Sequence, residues 1–162
     1  MKNKFTLFIA LAALAAAAIG CSMSTANMSS FTTSKDKDGK QASTTFKAGE
    51  TLYANAEIAN SGSKTTTRFY LVADADAPGV KKGETVKGTE VKVDLPSSGT
   101  AQYSLPIPAG IASGKFTLNA EMLDEKGEKK DSKSASITIE GAPASTAPAN
   151  TDKRSDADED DK

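Results

Sequence analysis

The sequence predicts an all-β domain, a sandwich or barrel of seven or eight short antiparallel strands, from three observations. Apolar and polar residues alternate with a period of two along several stretches, as expected of strands that bury one face. Clusters of Gly, Asn, Asp and Ser interrupt these stretches at near-regular spacing, the pattern of β-sandwiches and barrels. Between residues 28 and 141 no segment offers ten or more residues of helical periodicity.

The strands are expected at about 28–34, 42–47, 51–60, 65–74, 84–95, 100–105, 114–124 and 132–140. Thr51 to Asn60 is the clearest, with Leu52, Ala54, Ala56 and Ile58 on one face and Thr51, Tyr53, Asn55 and Glu57 on the other. From Arg68 to Ala73 both faces are fairly apolar, which suits a central strand. Val91, Val93 and Leu95 alternate inward, as do Ala101, Tyr103 and Leu105 before Pro106 and Pro108 close that strand. Phe116, Leu118, Ala120 and Met122 share a face, and so do Ala135, Ile137 and Ile139. The connections at 36–39, 60–62, 78–79, 97–99 and 124–127 carry Gly for positive φ and Asp, Asn or Ser for local hydrogen bonds.

Two of these stretches carry a resemblance. Phe46-Lys47-Ala48-Gly49-Glu50-Thr51-Leu52, leading to Asn60-Ser61-Gly62, resembles the entry and exit of the second strand in bacterial immunoglobulin-like domains. Ile111-Ala112-Ser113-Gly114-Lys115-Phe116-Thr117-Leu118, followed by Asp124-Glu125-Lys126-Gly127, is similar to their penultimate strand and last hairpin. The resemblance spans about 46–140 and implies an immunoglobulin-like β-sandwich without implying an activity. The cysteine pair and the buried Trp of antibody domains are absent.

The N-terminus follows an export design. Lys2 and Lys4 precede an apolar run from Phe5 to Ile19, then small residues, then Cys21. This is the layout of a signal peptide, expected to be helical, and at 15 residues the run is shorter than the ~20 of a spanning helix. Leu14 to Cys21 resembles the lipobox of bacterial lipoproteins, with Ala18 where Leu is more usual. The resemblance implies cleavage before Cys21 and acylation of its thiol and new amine, the chains holding the protein to a membrane. Ser22 stands where Asp would signal inner-membrane retention, which favours the outer membrane of the cell envelope.

The expected organisation is therefore a signal peptide at 1–20, a lipidated tether at 21–27, the β domain at 28–141, and a disordered tail at 142–162. That tail is rich in Ala and Pro and then acidic, with no side chain suited to anchoring it. The chain carries a net charge of −1, and loss of Lys2 and Lys4 leaves −3. Six acids and three bases lie in 151–162, so residues 22–150 are neutral overall. A neutral domain offers no electrostatic footprint for nucleic acid.

Composition also narrows the chemistry. The chain has no His and one Cys, which removes the Ser–His pair and the usual zinc and copper ligand sets. With that cysteine acylated, no disulfide staples the domain. Asp36-Lys37-Asp38-Gly39 has the opening of a calcium loop, but its Gly comes too early and two lysines crowd it. Asp74 and Asp76 form a second weak calcium candidate, both on one side of a strand end. Tyr53 and Tyr70 are expected to point away from the core and offer a binding face for a glycan or a partner strand; cross-strand packing is the plainer alternative. No cofactor is expected. The leading functional expectation is a non-enzymatic, membrane-anchored interaction or accessory module with an envelope protein as partner. Binding of calcium or a glycan comes next, and an unrecognised hydrolase last.

Overall fold

A computed structural model of the chain describes residues 25–77, 79–111 and 113–141. The expectations for the signal segment, Cys21 and the C-terminal tail lie outside the described residues. Eight strands follow one another: β1 Asn27–Ser34, β2 Thr45–Lys47, β3 Thr51–Ala59, β4 Thr65–Ala73, β5 Val91–Leu95, β6 Gly99–Pro106, β7 Gly114–Leu123 and β8 Lys129–Glu140. They form two sheets, ordered β1-β3-β6 and β2-β8-β7-β4-β5. Every pairing is antiparallel except β2 with β8, which is parallel. The result is a β-sandwich of three strands against five.

Alternation drives the layering. In β3, Leu52, Ala54, Ala56 and Ile58 are buried while Thr51, Tyr53, Asn55 and Glu57 are partly or fully exposed. In β7, Phe116, Leu118, Ala120 and Met122 do the same for the opposing sheet. A one-residue slip in either would send this whole set to solvent, which pins the register. Five alanines in the core, Ala54, Ala56, Ala73, Ala101 and Ala120, leave room for the few large side chains. Chief among those are Phe69 of β4 and Tyr103 of β6, stacked with ring centroids 5.2 Å apart. Since β4 and β6 belong to different sheets, this pair bridges the layers. The Tyr103 hydroxyl donates to the Thr89 carbonyl at 2.9 Å, and burial pushes its phenol up, well above the ordinary range.

One expected strand is largely corrected. The stretch 84–95 forms a strand only from Val91; turns at 82–83 and 87–88, in which Gly83 and Gly88 adopt φ of 82° and 79°, bracket and interrupt residues 84–90. These left-handed positions, natural to Gly, turn the chain away from ladder geometry. Contact with β4 is kept at one short patch, where Thr85 bridges to Val72, the Ala73 amide donates to the Glu84 carbonyl and the Val86 amide to the Leu71 carbonyl. Likewise 42–47 shortens to the three residues of β2, whereas β8 begins three residues earlier than expected. β4 is flanked by β7 and β5, so its two-sided apolar character reflects a strand one position in from the edge.

Two turn residues show why their types are needed. Asn60 ends β3 at φ 56°, a left-handed conformation that Asn tolerates better than most residues. At Gly114, any Cβ would meet the Phe116 ring at 2.9 Å, so the absent side chain lets this core aromatic fold back over its own strand.

Thr65 and Thr67 are buried on the inner side of β4, and neither hydroxyl has a hydrogen-bond partner. An unpaired buried hydroxyl costs about 1–3 kcal/mol. Thr67→Val is therefore expected to raise stability by about 1 kcal/mol, seen as a higher urea midpoint with unchanged slope. A lower midpoint would show that the hydroxyl is satisfied in solution.

Candidate functional site

Each of the acids singled out in the sequence already has a partner, three of them within their own turns. The Asp36 carboxylate accepts from the Lys40 and Gln41 amides at 3.1 and 2.6 Å. The Gln41 amide leads the effects that hold this carboxyl below its ordinary value, against some desolvation. Asp38 pairs with Lys40 at 3.1 Å. Asp74 accepts from the Thr117 hydroxyl at 2.8 Å, and Asp76 from the Lys82 amide at 2.8 Å. Among the described residues no three His, Cys, Asp or Glu side chains gather as metal ligands.

Tyr53 and Tyr70 do not share a face. Tyr53 lies on β3 of the three-stranded sheet and Tyr70 on β4 of the five-stranded sheet, so the single aromatic platform expected of them is corrected. Both residues do point away from the core, as the alternation required, but the two strands pair in different sheets. Tyr53 sits beside Asn55 and Ser104 at a shallow depression that Lys37 also lines. Tyr70 packs against its neighbours on the other outer face.

That second face holds a network the sequence did not reveal. The register sets Arg68 opposite Glu121 and Tyr70 opposite Asn119. Arg68 donates to Glu121 through both its Nε, at 3.2 Å, and Nη2. The Tyr70 hydroxyl donates to the other Glu121 oxygen at 3.1 Å. The Arg68 guanidinium lies 5.0 Å from the Tyr70 ring centroid, within cation–π range. Lys129 completes the set, 3.7 Å from Glu121. Burial pushes the Glu121 carboxyl up, but Arg68, Tyr70 and Lys129 outweigh it and hold the group below its ordinary 4.5. Burial, followed by the bond to Glu121, raises the Tyr70 phenol. Period-two reading put Arg68 and Tyr70 on the outer side; finding Glu121 across from them required the β4–β7 register. Such a network fixes side chains on a sheet surface.

The free edge of this sheet is β5. It pairs with β4 alone, from Val91 opposite Phe69 to Leu95 opposite Thr65. Its outer backbone groups therefore face away from the sheet, the arrangement that accepts an added strand. Val91 is 39% exposed, and no other large apolar residue among those described is exposed. Glu90 and Lys92 flank it in the chain; Asp94, further along β5, is held by Lys64 at 2.8 Å and by the Thr66 hydroxyl at 2.7 Å. At the other edge of this sheet β2 has only three residues, and β1 in the opposing sheet carries a bulge between Met28 and Ser30. Short or bulged edges resist pairing; of the two remaining edges, β5 and β6, β5 is the one that carries the exposed Val91.

No family model matches the chain, and no curated protein matches it. Among solved structures it is similar to a family 76 glycoside hydrolase from a bovine Bacteroides thetaiotaomicron strain, at 14% identity and TM-score 0.37, covering 59% of this chain and 19% of that one. It is similar to the PmoD soluble domain from Methylocystis sp., at 13% identity and TM-score 0.39, covering 67% of this chain and 88% of that one. A β-glucosidase from Kluyveromyces marxianus follows at 12% identity and TM-score 0.32, covering 72% of this chain and 15% of that one. The chain thus spans under a fifth of either glycosidase. With every TM-score below 0.5, these likenesses carry no functional implication.

The Glu121 network sets an expected pH dependence. A carboxyl whose folded value lies below its unfolded one contributes stability above the unfolded value, and that stability is lost as pH falls through the folded value. Glu121→Gln should therefore cost about 1 kcal/mol at pH 7, the scale of a well-formed pair near the surface. The difference from the native chain should shrink once pH drops below 4.5. The other depressed carboxyls are common to both proteins and cancel. Urea unfolding at pH 7 and pH 3 checks this; an equal difference at both would mean Glu121 acts by packing alone.

Proposed function

We propose that the chain is a bacterial envelope lipoprotein, cut before Cys21, held by acyl chains to the outer membrane, and working without catalysis as a protein-binding or accessory module. The observation that carries the binding reading is the open β5 edge with Val91 exposed upon it. A partner chain laid along β5 would gain main-chain hydrogen bonds, and Val91 would supply an apolar contact beside the charged Glu90 and Lys92. The flanking charges protect the edge from indiscriminate self-pairing, which suits a site kept for one partner.

The immunoglobulin-like reading belongs to the same proposal. It is supported by the three-plus-five division of strands, with β1 and β2 in different sheets and β2 parallel to β8. Anchoring is supported by the lipobox resemblance and by position: β1 begins six residues after Cys21. Six extended residues reach about 20 Å, so the sandwich would stand close over the lipid surface. Confinement there raises the effective concentration of any partner in the same membrane.

Two experiments test this reading. Cys21→Ser should leave the chain uncleaved or shift it out of the membrane fraction; fractionation like the native chain would overturn the anchor. Cross-linking capture from intact cells, with a tag after Lys162, should yield one dominant envelope protein. Val91→Lys should lower its recovery roughly tenfold, the effect of losing a central contact. Equal recovery with Val91→Lys would remove β5 from the interface.

A further inference from the structure

A cavity of about 290 Å³ opens at one end of the sandwich, where β4, β6 and β8 finish and β7 begins. Its buried lining is Leu71, Phe116, Ile139 and Ile107, while the partly exposed Val86 and Ile111 stand at its rim. Among the described residues one charged side chain lines it, the exposed Lys87.

Both walls are held in place without an occupant. On one side the Val86 amide donates to the Leu71 carbonyl at 2.9 Å, the Leu71 amide to the Thr89 hydroxyl at 3.1 Å, and that hydroxyl to the Val86 carbonyl at 2.7 Å. On the other, the Ile107 amide donates to Glu50 at 2.9 Å, and the Gly49 amide to the Ile107 carbonyl at 3.0 Å. A preformed apolar cleft with few polar groups is the usual character of a small-molecule site.

We propose that this cavity binds the alkyl chain of a medium-length fatty acid, with Lys87 meeting its carboxylate at the mouth. An apolar cavity of about 150 Å³ is enough to take up benzene. One of 290 Å³ has room for an alkyl segment of about eight to ten carbons on that scale. The apolar side chains of the lining are aliphatic apart from Phe116, which suits a flexible chain better than a flat polar ring. The single basic residue at the rim selects an anionic head over a neutral or cationic one. This site is separate from the β5 edge and stands whether or not the chain is anchored or binds a protein there.

The test uses the purified full-length chain in phospholipid nanodiscs, a decanoate carrying a terminal diazirine, and peptide mapping after irradiation. Label is expected on peptides holding residues 86–89 and 105–111, displaced by plain decanoate. Lys87→Glu should weaken displacement by decanoate about fivefold, the scale of an exposed charge contact, and leave displacement by decanol unchanged. Ile111→Asp, at the partly exposed rim, should remove the label while far-UV circular dichroism stays native. Label spread evenly over surface peptides would overturn the proposal. So would Lys87→Glu affecting decanoate and decanol alike. Labelling suppressed by nanodisc phospholipid and restored in its absence would assign the cavity to membrane lipid and overturn the fatty-acid assignment.

Discussion

Phe69 and Tyr103, facing each other across the two sheets at 5.2 Å, are the contact on which the sandwich turns. The chain has no Trp and a single Cys, at position 21, so nothing covalent joins the layers of the domain. Aromatic stacking adds only about 0.5–1.5 kcal/mol beyond the area it buries. Its greater effect here is geometric. The alanines around the pair let the sheets approach, and the pair fixes where they meet. Phe31 of β1 extends the cluster, 6.4 Å from Phe69, so three strands from both layers converge on one ring.

The polar end of Tyr103 carries that constraint outward. Its hydroxyl meets the Thr89 carbonyl, and the Thr89 side chain in turn ties Val86 to Leu71. A core aromatic thereby orders the loop that precedes β5 and walls one side of the apolar cavity. One buried hydrogen bond ties the core to a loop that leads into the β5 edge and walls the cleft. Core and surface are thus not independent in this fold: loosening the Phe69–Tyr103 contact would disturb both.

The legible part of the fold was the part written in alternation. β3, β6 and β7 followed from Leu52 to Ile58, Ala101 to Leu105 and Phe116 to Met122, because a half-buried strand leaves a period of two in any sequence. The segment 84–90 was misread as strand because Thr85 and Val86 have strand-like side chains; the left-handed Gly83 and Gly88 decide its path, and positive φ leaves no periodic mark. Partnering was less legible still. Tyr53 and Tyr70 were correctly turned outward, yet which sheet each strand joins is a long-range property. Glu121 meets Arg68 and Tyr70 only through a pairing more than fifty residues away in the chain. The cavity was invisible for the same reason, since its lining is gathered from β4, β6, β7 and β8 and from the loops before β5 and after β6.

The parallel pairing of β2 with β8 has a mechanical side. The Thr138 amide donates to Thr44 and the Ala48 amide to Glu140, both at 2.8 Å, enclosing a ladder from Thr45–Thr138 to Lys47–Glu140. Because the two strands run in the same direction, a pull toward the N-terminus on β2 and toward the C-terminus on β8 slides them past each other. The bonds across the ladder are then loaded together instead of opening one by one like a zipper. In a domain tethered at one end and tugged at the other, this patch would be loaded in shear once the pull passes β1 and its pairing with β3, so three residues of strand bear on tensile strength out of proportion to their length.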